Sequence, residues 1–164
     1  MNAGATLETV LREVRPPAHL ADRPYLRAVY DEPEYVVRNI WRLYGGWYDG
    51  VPSHLKPATE AEIGRELASL VGGVGVLVER AGTLAAAGDL ALAGHLIDWA
   101  AAAEPERRDV HAARARIYET RASASAALMT RGIFSATARD SAAKAGLELP
   151  PPPSPLSPRG RTSP

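Results

Sequence analysis

The sequence predicts an all-α fold, a helical bundle, and three observations carry that expectation. Apolar residues recur at i, i+3 and i+4 along most of the 164 residues. Glycine pairs and prolines interrupt that periodicity at regular points, and no stretch alternates as a strand does. The hydrophobic fraction is 46% but only 6% of residues are aromatic. Alanine makes up much of the difference, which suits closely packed helices better than a bulky sheet core.

The elements follow in order. Thr6 can cap a first helix whose Leu7, Val10, Leu11 and Val14 share one face, and Pro16-Pro17 ends it. Ala18 to Tyr30 reads as a loop with a short helical turn. Asp31 is the expected N-cap of the next helix, with Pro33 in its first turn and Gly45-Gly46 as its stop. Val36, Val37, Ile40, Trp41 and Tyr44 give this helix a broad apolar side. Trp47 to Pro57 is a compact loop built on Asp49-Gly50, Pro52 and Pro57.

Thr59 and Glu62 form a capping box for a third helix, with Ile63, Leu67 and Leu70 expected inward and Gly72-Gly73 as the break. A fourth helix is expected from Val74 to Ala87 and a fifth from Leu90 to Ala103, joined at Gly88-Asp89 into a hairpin and closed by Pro105. A sixth runs from Glu106 past Tyr118 toward Leu128. Gly132 is the expected interruption before a last helix, Ile133 to Ala145. The spacing of Gly88-Asp89, Ala93, Ile97, Ala100 and Pro105 is like the second half of a tetratricopeptide repeat, with Ala115 and Tyr118 beginning another. Only about one and a half such units fit, so a peptide-binding scaffold ranks below plain helix packing. Residues 1–146 form the expected domain. Residues 147–164, with Pro150 to Pro153 in one block, form an expected disordered tail. Its P-x-x-P spacings, followed by Arg159 and Arg161, are weaker signals of a peptide ligand.

Bulk chemistry narrows the function. Lys+Arg and Asp+Glu are both 19, so no net charge draws the chain to nucleic acid or an anionic membrane. No apolar run reaches the roughly 20 residues a membrane span needs. The chain has no cysteine, which excludes thiolate metal sites and fits a cytoplasmic location. His19, His54, His95 and His111 form no metal-binding spacing, although His95 and Asp98 can share a helix face. Asp31, Glu32 and Glu34 are better explained by the positive end of a helix dipole than by acid–base chemistry. Gly72-Gly73-Val74-Gly75 lacks the Lys-Ser/Thr of a phosphate loop, and Ser123 and Ser125 have no base nearby in sequence. No catalytic residue, metal ligand or cofactor is therefore assigned.

One segment stands apart. Tyr30, Tyr35, Trp41, Tyr44, Trp47 and Tyr48, six of the ten aromatic residues, fall between Tyr30 and Asp49 together with Arg38 and Arg42. Clustered Trp, Tyr and Arg are the composition of interface hot spots, and one helix cannot turn so wide a belt inward. Arg38, Trp41, Arg42, Tyr44, Trp47 and Tyr48 are the candidate interface residues.

The same segment carries a family resemblance. Pro24-Tyr25-Leu26-Arg27 and the run from Tyr30 through Asp31-Glu32-Pro33-Glu34-Tyr35 and Trp41-Arg42-Leu43-Tyr44-Gly45-Gly46-Trp47-Tyr48-Asp49-Gly50 resemble the dimerisation domain of alkyl sulfatases of the metallo-β-lactamase superfamily. Pro52, Leu55, Pro57, Leu70 to Gly73 and Gly88-Asp89 continue the pattern, as do Met1 to Thr6 before it. Val51 departs from the asparagine usual there. In such enzymes this helical domain follows a catalytic domain carrying H-x-H-x-D-H and two zinc ions, and a sterol-carrier-like domain often follows. The resemblance thus implies dimerisation without hydrolysis: a non-catalytic module pairing with itself as a homodimer, or with a separate metallo-β-lactamase-like sulfatase chain. The alternative is a fragment or subunit of a zinc-dependent sulfuric ester hydrolase.

Overall fold

The computed structural model describes residues 4–149. These residues form eight α-helices and two 3-10 turns, with no strand among them. The proposed tail falls mostly at residues 150–164, outside the described residues.

An N-terminal arm contains α1 (Leu7–Glu13), α2 (Ala18–Ala21) and α3 (Pro33–Gly45), with 3-10 turns at Pro24–Leu26 and Pro52–Leu55. Thr6 caps α1 as expected, its Oγ1 accepting the Thr9 N–H at 3.2 Å. The α3 cap is Glu32 rather than Asp31, and its side chain makes no cap bond. Pro33 decides the position: its fixed φ suits the first helical residue, so the residue immediately before it becomes the cap. Helix α1 packs on α3.

A helical bundle follows, made of α4 (Glu60–Val71), α5 (Val74–Ala86), α6 (Leu90–Ala103), α7 (Arg108–Ala124) and α8 (Leu128–Ala145). The capping box of α4 is complete. Glu62 N–H donates to Thr59 Oγ1 at 3.2 Å and Thr59 N–H to Glu62 Oε2 at 2.8 Å. These bonds to Thr59 hold the Glu62 carboxyl below its usual pKa. Gly72 and Gly73, at φ 95° and 124°, end α4 and turn the chain by 91° into α5; such positive φ favours glycine. Among the described residues no single helix is long and apolar enough to cross a membrane.

The core is made of small and branched side chains. Ala81, Ala93, Ile97, Ala100 and Val110 are fully buried, joined by Val74, Leu77, Leu84 and Ile117. Small residues let the helices approach closely. At Gly64 an added Cβ would collide with the Trp99 carbonyl oxygen of α6. That contact explains a departure from expectation on α4. Gly64 and Ala68 are buried, whereas Leu70, expected inward, is 73% exposed.

The break between the last two helices also differs from expectation. Gly132 lies inside α8, and the chain breaks at Ser125–Ala127 instead. Helix α8 begins where its free N–H groups find acceptors in the arm: Leu128 donates to the Val29 carbonyl at 2.9 Å and Met129 to that of Tyr30 at 3.0 Å. Ser125 Oγ folds back on the Arg121 carbonyl at 2.8 Å. Helix α7 starts at Arg108 rather than Glu106.

A polar network spans α6, α7 and α8. Asp98 accepts from Arg114 Nε at 2.7 Å and from the Tyr118 hydroxyl at 2.5 Å, and Arg114 also donates to the buried Ser141 at 2.9 Å. Burial first, and the Asp98 carboxylate second, push the Tyr118 phenol up to about 12. The Tyr118 and Phe134 rings pack 5.6 Å apart, with the Arg121 guanidinium 4.3 Å from the Phe134 centroid.

Candidate association surface

Helix α3 is amphipathic in an unusual way, because only part of its apolar arc meets its own chain. At about 100° per residue, Val37 and Trp41 point the same way. Both are buried, at 9% exposure each. Val36, Ile40, Leu43 and Tyr44 fall on an adjoining arc. They are 51%, 48%, 73% and 77% exposed. Arg38 and Arg42 project from the side opposite that arc, both exposed.

Two contacts secure the helix end. Gly46, at φ 79°, turns the chain out of α3, and Trp41 Nε1 donates to the Tyr48 carbonyl across the turn at 3.1 Å. The indole is therefore spent on the fold. Trp47 remains 78% exposed, edge-on to Tyr48 with 6.2 Å between ring centroids. Beyond them Asp49 organises the loop, accepting from Val51 N–H at 2.9 Å and from His54 Nδ1 at 2.5 Å. These bonds, His54's above all, hold the Asp49 carboxyl below its ordinary value. At the other end of the arm, Tyr35 hydrogen-bonds Thr130 of α8 at 2.6 Å.

The six candidate interface residues are thus not one patch. Tyr44 and Trp47 are open, Tyr48 is 38% exposed, Trp41 is turned into its own chain, and Arg38 and Arg42 face elsewhere. Trp41 accordingly has no free surface to offer a partner. Sequence reading placed Val36 and Ile40 on the broad apolar side of this helix without naming them as interface residues, and it did not single out Leu43. The available signal was the width of the apolar arc, which exceeds what one neighbouring helix covers.

Several of the other polar candidates have structural partners. His54 is paired with Asp49, and His111, buried at 3% exposure, bonds the Pro105 carbonyl through Nε2 at 2.6 Å. His95 packs on Trp99 with 5.9 Å between centroids, while Asp98 serves Arg114 and Tyr118 instead. Gly72-Gly73 is the bend between α4 and α5. Among the described residues, no three His, Asp or Glu side chains converge as a metal site.

Comparison with known proteins decides the family. Residues 6–144 match the family model for alkyl sulfatase dimerisation. The chain belongs to the alkyl sulfatase dimerisation family. A linear primary-alkylsulfatase of Pseudomonas sp. is 42% identical over 105 residues, 63% of this chain and 18% of that protein. An (R)-specific secondary-alkylsulfatase of Pseudomonas sp. is 30% identical over 120 residues, 73% of this chain and again 18% of the relative. The solved structure of a stereoselective inverting sec-alkylsulfatase from Pseudomonas sp. superposes with a TM-score of 0.80 at 26% identity, covering 91% of this chain and 23% of that one. This dimerisation-family chain therefore spans about a fifth of the curated relatives' length.

Proposed function

We propose that this chain is a non-catalytic dimerisation module of alkyl-sulfatase type, which associates as a homodimer. The observation that carries the reading is the exposure of Tyr44 and Trp47, 77% and 78%, inside the segment that matches the family. Large aromatic side chains left open beside a well-formed helix are characteristic of association surfaces. The engagement of Asp49, Asp98, His54 and His111 in structural contacts supports a role in assembly rather than in chemistry.

Multi-angle light scattering of the purified chain tests it. A dimer at micromolar concentration is expected, and a clean monomer overturns the homodimer. The second reading, a subunit for a zinc sulfatase, is favoured by the small share of the alkylsulfatase relatives that the chain spans. On that reading the chain binds a separate metallo-β-lactamase-like chain. Stoichiometric zinc with sulfate-ester hydrolysis in the isolated chain would contradict both.

A further inference from the structure

We infer that the self-association surface is the uncovered side of α3, formed by Val36, Ile40, Leu43 and Tyr44, and that its occupant is the same stripe of a second copy, running antiparallel across a two-fold axis near Ile40. The inference rests on the homodimer reading and specifies its geometry.

The stripe follows the i, i+4, i+7, i+8 spacing of a helix-packing face. It runs through nearly the whole of α3, and its side chains stay half to three-quarters exposed in the described chain. Its area is substantial. A large aromatic side chain carries about 150–250 Å², so Tyr44, 77% exposed, leaves roughly 115–190 Å² open. Val36, Ile40 and Leu43 extend this toward the roughly 800 Å² per partner that a standard interface buries.

Charge favours a second copy as the occupant. A two-fold axis brings a surface against itself, so any charge near the axis meets its own kind. The stripe contains no ionisable acid or base between Val36 and Tyr44, because Arg38 and Arg42 lie on the far side of the helix. The formal net charge of zero adds no repulsion between copies. Centring the pair on Ile40 sets Val36 of one copy on Tyr44 of the other, at both ends of the contact. A small side chain then opposes a large one.

Leu43→Glu and Arg42→Glu in the full chain separate the two sides of α3. Both positions are exposed, so circular dichroism should remain that of the native helical fold. With Leu43→Glu, association measured by sedimentation equilibrium should weaken by about 100-fold, since each copy contributes a charge to a desolvated contact. Arg42→Glu should leave it unchanged. Ile40→Cys supplies the positive test. The chain has no cysteine, so mild oxidation can link Ile40→Cys only to another copy. A covalent dimer is expected from Ile40→Cys and not from Arg42→Cys. A monomeric native chain would overturn the homodimer reading together with this inference. A native dimer that survives Leu43→Glu, is broken by Arg42→Glu, or fails to cross-link at Ile40→Cys would overturn the surface alone, leaving the dimer to another face.

Discussion

Gly64 shows how a single hydrogen atom controls the packing of two helices. Its Cα lies so near the Trp99 carbonyl that alanine has no room. Gly64→Ala should destabilise the bundle by about 1–3 kcal/mol through overpacking, despite alanine's better helix propensity. A lowered urea midpoint with unchanged m-value would show it. The two tryptophans at the end of α3 should behave oppositely to each other. Trp41→Ala removes a buried ring and should cost about 3–5 kcal/mol of folding stability. Trp47→Ala, at an exposed position, should leave stability nearly intact and weaken association. Equal thermal midpoints for the two variants would contradict this division. Sequence alone could not make it, because both residues belong to one aromatic run and only the turn at Gly46 decides which indole reaches back to Tyr48.

At the scale of elements, the capping box and glycine stops of α4 to α6 were legible because they act within a few residues. The α7–α8 break was not. Gly132 has the higher breaking propensity, but the acceptors that start α8 belong to Val29 and Tyr30, about a hundred residues earlier in the chain. Tyr35→Phe should therefore loosen the arm, costing about 0.5–1.5 kcal/mol for the lost bond to Thr130. Hydrogen exchange should accelerate in α3 while α5 and α6 stay protected; uniform acceleration would show the arm and bundle to be one cooperative unit. The network on α6 and α7 gives a prediction in pH. Folding raises the Tyr118 pKa from 10.0 to about 12, so its contribution to stability is complete below pH 10 and is lost as pH rises toward 12. Asp98→Asn should lower the Tyr118 titration midpoint yet leave it above 10.0, because burial is the larger cause. Asp49 has the opposite sign. Its folded pKa lies below the ordinary 3.8, so its contribution is present above that value and disappears in more acidic solution.

The whole molecule divides its labour between an arm and a bundle. The buried cluster draws on residues from Ala68 onward, while α3 packs on α1 and reaches α8 through hydrogen bonds. A chain shortened to Ala58–Leu149 should consequently keep helical structure and unfold cooperatively, but fail to associate. Loss of its helical signal would make the arm part of the fold rather than an attachment to it. An apolar stripe further predicts that association resists salt. Between low and physiological ionic strength the dimer dissociation constant should change by less than about threefold, unlike an interface held by exposed ion pairs.

By itself the sequence determined the helical class, most helix limits and the family likeness. Each depends on local rules: periodicity, caps, glycine stops and a long aromatic motif. The direction of each face came from contacts between distant elements. Leu70 points out because Gly64 and Ala68 face α6, α8 starts at Leu128 because the arm supplies its acceptors, and half of the α3 apolar arc stays open because α1 is the one helix of the described chain that packs on α3. A helix pattern says that a residue is apolar, but which neighbour removes it from water depends on where distant elements end. The interface candidates were therefore found as a segment, and separated into a buried indole, the exposed rings of Tyr44 and Trp47 and opposing arginines only by the fold.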